Sequence, residues 1–87
     1  ILAIQPDHPG ARRQLAAVMV DAGQHASALL LIDEMIRAFP DDPGLRVNAG
    51  LACRGLGLHE QARQHWLEAR RLDPGNADIA RLLEDAP

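Results

Sequence analysis

The octapeptide RAFPDDPG, residues 37–44, has a second form in the chain, RLDPGNAD at 71–78, and a shortened third, IQPDHPG at 4–10. Their prolines, Pro6, Pro40 and Pro74, are each 34 residues apart. Setting residues 7–40 against 41–74 extends the match. The identical pairs are Asp7/Asp41, Pro9/Pro43, Gly10/Gly44, Arg12/Arg46, Gly23/Gly57, His25/His59, Ala28/Ala62, Glu34/Glu68, Arg37/Arg71 and Pro40/Pro74, ten in 34. They fall where backbone geometry is demanding, and a fixed period of 20–50 residues signals stacked units.

Each unit reads as two helices. The first of each pair is expected over 9–22 and 43–56. Pro9 and Pro43 stand in the first turn, where a missing N–H costs nothing. His8, Asp42 and, in a third partial unit, Asn76 precede these starts. Asp and Asn are good caps because a side-chain oxygen accepts from the free N–H groups, and His8 is a poorer one. Gly23 and Gly57 suit the left-handed residue that ends a helix. The second helices are expected over 25–38 and 59–72, with Arg37, Arg70 and Arg71 favourably placed in their last turns. Pro40 and Pro74 then forbid continuation. Leu15, Met19 and Ala22 share one face, as do Ala28, Ile32 and Met35, and Ala62, Trp66 and Ala69. No stretch of comparable length alternates with period two. The fold class that follows is all-α, built of repeated helical hairpins.

Composition agrees. The chain is 47% apolar and 24% charged, which suits a packed domain rather than a disordered segment. Phe39 and Trp66 are its only aromatics, so its apolar mass is Leu, Ala, Ile and Val. Twelve acids face nine arginines and no lysine, a balance that gives no reason to expect nucleic acid or an anionic membrane as partner. No apolar run approaches the roughly 18–20 residues that span a bilayer. The single cysteine, Cys53, cannot form an internal disulfide, which favours a cytoplasmic address and is compatible with a periplasmic one. Ile1 begins in mid-pattern without a methionine or a basic leader, so the chain reads as a piece of something longer. Arginine without lysine suggests a GC-rich, bacterial source on composition alone.

These residues resemble the tetratricopeptide repeat family, whose 34-residue units are helix–turn–helix with a loose pattern of large and small residues and a late proline. Two full units are expected, 7–40 and 41–74, within a single domain over 1–87. Residues 1–6 resemble the end of a preceding unit and 75–87 the first helix of a following unit or a capping helix. Leu15-Ala16 and Ala49-Gly50 stand where the family has leucine then a small residue. Gly23, Gly57, Ala28 and Ala62 match its turn glycine and small residue, Ile32 and Trp66 its bulky place. The early tryptophan is replaced by Arg12 and Arg46, and Met19 and Cys53 fill a usual tyrosine place.

The resemblance implies an α-solenoid, hairpins stacked in a right-handed superhelix, with an inner groove that binds a partner protein or peptide. The groove residues would be Arg13, Ala17 and Val20, then Val47, Asn48, Leu51 and Arg54, then Asp78 and Arg81. An Asn can hold a partner's backbone amide and an Arg its carboxylate. Some relatives clamp a C-terminal carboxylate. Only Arg13 and Asn48 remain of that set, with Ala17, Asp78 and Leu82 at other places, so such a clamp is not expected.

No enzyme is expected, and no cofactor. His59 and His65 lie too far apart, and too far from Cys53, for usual zinc spacing. His25 and His59 are better read as equivalent packed positions of the repeat. Cys53 reads as a small apolar residue without a base or oxyanion site. Asp41–Asp42 and Asp33–Glu34 read as cap and solvated face, and Gly55-Leu56-Gly57 as a helix end rather than a phosphate loop. Leu29–Ile32 cannot all be buried on one helix face, so Leu30 and Leu31 are expected to point outward as a possible oligomer contact. The leading function is a protein-binding scaffold. The alternatives are a substrate-recruiting part of a larger enzyme such as a transferase, or a homo-oligomerisation module joined through exposed stack ends.

Overall fold

The computed structural model describes the backbone of residues 9–85 and the side chains of residues 14–84. Expectations on residues 1–8, including His8 as a cap, and on the side chain of Arg13 lie outside the described residues. Five helices follow one another: α1 Pro9–Asp21, α2 His25–Ala38, α3 Pro43–Gly55, α4 His59–Leu72 and α5 Ala77–Asp85. No strand occurs among the described residues. The first four helices end within one residue of the spans read from the sequence.

The punctuation residues act through specific bonds. Gly23 and Gly57 have φ of 82° and 79°, the left-handed region that a side chain disfavours. Around Gly23 the amide of Gln24 donates to the Met19 carbonyl at 2.8 Å and that of Gly23 to Val20 at 3.1 Å. Leu58 to Cys53 and Gly57 to Arg54 repeat the pattern at 2.8 and 3.0 Å, so both turns are Schellman closures of the preceding helix. At the α3 start the Asp42 carboxylate accepts from the Gly44 amide at 2.9 Å, with Pro43 beside it in the first turn. The Asn76 side-chain oxygen accepts from the amides of Asp78 and Ile79 at 2.9 and 3.3 Å, starting α5. Each cap stabilises its helix by about 1 kcal/mol. Arg37, Arg70 and Arg71 lie in last turns as expected, and Arg71 Nε donates to Glu68 one turn earlier at 3.1 Å.

Each helix packs on its successor, and α1 also packs on α3. Helix α3 is therefore enclosed by α1, α2 and α4 and buries Leu45, Ala49, Gly50, Ala52 and Cys53. One core cluster joins Ala16, Ala28, Ile32, Met35, Leu45 and Ala49, and a second joins Cys53, Ala62 and Trp66. The faces Ala28/Ile32/Met35 and Ala62/Trp66/Ala69 are buried as read.

Two expectations are corrected. Leu15 is 52% exposed and Ala22 is exposed, whereas the neighbouring Ala16 is fully buried. Because α2 and α3 both approach α1, its buried stripe centres on Ala16, flanked by Met19 and Val20, rather than on the Leu15 stripe. Leu31 does not point outward. It is half-buried against the first cluster, and Leu30 alone of the pair projects, at 70% exposure.

Candidate partner-binding face

The side of α3 turned away from its buried residues carries Val47, Asn48 and Leu51, all half-buried, and Arg54, exposed. It is positioned from beneath by Trp66 of α4. Gly50 permits the approach: a Cβ there would lie 2.1 Å from the indole Nε1. The indole N–H, which is buried and needs an acceptor, donates to the Val47 carbonyl at 3.2 Å. The guanidinium carbon of Arg54 lies 5.6 Å from the Trp66 ring centroid, within cation–π range. A single side chain thus holds the backbone at Val47 and the cation at Arg54.

Where α1 and α3 end side by side, a cleft of about 500 Å³ opens. Val20 and Leu51 give it apolar walls, and Asp21 and Arg54 line it without pairing with each other. His25 lies alongside, fitted into a hollow that exists because residue 55 is glycine. A Cβ at Gly55 would stand 2.3 Å from the imidazole Nε2. The Nδ1 atom of that imidazole is buried and has no hydrogen-bond partner.

Of the sequence-expected groove residues, the cleft brings together Val20, Leu51 and Arg54. Val47 and Asn48 share their helix without lining it, Ala17 is half-buried on α1, and Asp78 and Arg81 stand exposed on α5. Sequence reading gave no role to the contacts that orient the face. Gly50 stood at the family's small position, which hinted at a close neighbour. Gly55 read only as a helix end, because its partner His25 belongs to the other unit.

The titratable groups nearby suit a structural setting. Burial, with the negative charge of Asp33 as a smaller cause, pushes the Cys53 thiol above its ordinary range, so it is held protonated. Burial lowers the proton affinity of His65, the Arg46 charge lowers it further, and Asp33 partly opposes both. Among the described residues no three His, Cys, Asp or Glu side chains gather as a metal site would need. Also among them, no helix is long and apolar enough to cross a membrane.

A family model described as tetratricopeptide repeat matches residues 9–52, which is 44 of the 87 residues. TPR repeat-containing thioredoxin TTL4 of Arabidopsis thaliana is 40% identical over 60 residues, 69% of this chain. That match spans 9% of the relative's length. A plant relative gives no support to the bacterial source suggested by composition. Repeats of this kind generally mediate protein–protein interaction and are typically non-catalytic. By the matched model, the two like hairpins and their shared punctuation, the chain belongs to the tetratricopeptide repeat family.

Proposed function

We propose that this chain is a scaffold that holds a segment of a partner protein along α1, α3 and α5, as the inner face of a solenoid. The observation that carries the reading is the convergence of Val20, Leu51 and Arg54 on one cleft, with Arg54 held in place over Trp66. Apolar walls supply area, and an arginine fixed before binding loses little entropy on pairing. Arg13, Val47, Asn48, Leu51, Arg54 and Arg81 are the proposed contacts. The test is selection of peptides from a random display library, followed by calorimetry against wild type, Leu51→Asp and Arg54→Glu. Selected peptides should bind each variant on the order of tenfold or more weakly, while Glu60→Arg, in the first turn of α4, leaves affinity unchanged. Equal affinity for all three chains would count against the face.

A second reading rests on Leu30. It projects at 70% exposure, and the second hairpin carries Gln64 at the equivalent place. An outward leucine suits contact between copies of the chain. Sedimentation over a range of concentrations should show association that Leu30→Gln removes. A strict monomer at high concentration refutes this reading. The name of the plant relative joins such repeats to a thioredoxin, which fits a recruiting segment of a larger enzyme. A catalytic domain elsewhere in the full-length sequence would favour that role.

A further inference from the structure

Asp21 is the last residue of α1, where a carboxylate meets the negative end of the helix dipole. No basic residue stands in that last turn, and Asp21 has no hydrogen-bond or ion-pair partner among the described residues. The acid therefore costs α1 stability rather than adding to it. Its equivalent in the second hairpin, 34 residues on, is Gly55, where the His25 ring leaves no room for a side chain.

Arg54 departs from its own counterpart, which is Val20. At these two pairs of places the acid stands only on the α1 wall of the cleft and the base only on the α3 wall. Opposite charges on one small cleft would ordinarily swing together. Here the guanidinium is seated 5.6 Å from the Trp66 ring centroid, and the carboxylate is left alone on the other wall. Both charged residues are exposed. Val20, beside Asp21, and Leu51, one turn before Arg54, are half-buried.

We infer that the segment held in this cleft carries a basic and an acidic side chain around an apolar one, the base answering Asp21 and the acid answering Arg54. This rests on the reading of the cleft as a partner-binding site. The apolar side chain supplies most of the affinity, because ion pairs at an exposed rim contribute little. The charges select. One arrangement of base and acid pairs both walls, and the exchanged arrangement sets like against like on both. A segment of a single sign satisfies one wall and is opposed by the other. The unfavourable place of Asp21 on its helix is accounted for in the same way, as stability given up for selection.

The test begins with peptides selected on the wild-type chain from a random display library. One whose binding is lost in Leu51→Asp is kept, and a second peptide is made from it with the acidic and basic residues exchanged. Calorimetry compares the two on wild type, on Asp21→Asn and on the double variant Asp21→Arg with Arg54→Glu. Wild type should prefer the original peptide by at least about tenfold, and the double variant should prefer the exchanged one. Asp21→Asn should bind the original peptide about threefold or more weakly, while its denaturation midpoint is no lower than that of wild type. An acid with a merely structural role would not separate those two readouts. Selected peptides that need Leu51 yet carry one sign of charge, or none, overturn the inference and leave the cleft a binding site. So does unchanged affinity in Asp21→Asn, which decides the matter even where the double variant fails to fold. If no selected peptide depends on Leu51, the inference falls together with the reading beneath it.

Discussion

The two hairpins are built on one plan and filled differently. In the first, Ala16 of α1 and Ile32 of α2 lie in a common core; in the second, the same places are Gly50 and Trp66. Where the large residue grows from isoleucine to tryptophan, the facing residue shrinks from alanine to glycine. Volume is traded between the two places. Interiors packed as densely as crystals require this. The second hairpin gains what the first lacks: an indole that bonds the facing helix and carries an arginine on its ring.

Breaking that trade gives the largest expected effect. Trp66→Ala should cost about 3–5 kcal/mol, enough to unfold a small domain, as read by chemical denaturation. Gly50→Ala should cost about 1–3 kcal/mol through the clash with the ring. Combining Gly50→Ala with Trp66→Ile recreates the pair of the first hairpin. The double variant should be more stable than the sum of the single losses by about 1–3 kcal/mol. Strict additivity would show that the two places are not coupled.

The turns sharpen the comparison in the opposite sense, because there the hairpins agree. Gly23→Ala and Gly57→Ala place a methyl group in open space, and both force alanine to positive φ. Each should cost about 1 kcal/mol, and the two midpoints should shift alike. The smallest effect concerns His65, whose counterpart in the first hairpin is Leu31. Its folded-state proton affinity lies below the ordinary value of 6.5. The unfolded chain therefore takes up the proton first, so the contribution of His65 is complete above about pH 6.5 and is lost as pH falls through its lower folded value. Denaturation between pH 7.5 and 5 should show the decline, and His65→Leu should remove that part of it.

The helices were legible because their ends are written in residues with only one geometric use, such as Pro43 after Asp42 or Gly57 at positive φ. The buried faces were legible where one neighbour decides them, as for Trp66. Helix α1 was misread by one residue because two helices approach it and turn its stripe from Leu15 to Ala16. Leu31 was misread for a related reason: a helix wedged between neighbours buries more than one face. The cleft was half legible. Val20, Leu51 and Arg54 follow from the resemblance to the repeat family, with which their helical spacing agrees, whereas the seat of His25 on Gly55 joins residues of different units and leaves no local pattern.

The Trp66 ring has one more consequence. It is the sole tryptophan, it is buried, and its face lies under a cation that also lines the cleft. The light it emits therefore reports on a single place. Any guest that draws Arg54 away from the ring changes the field across the indole, and the emission should shift with occupancy. The chain carries its own binding gauge, with no dye or label to attach.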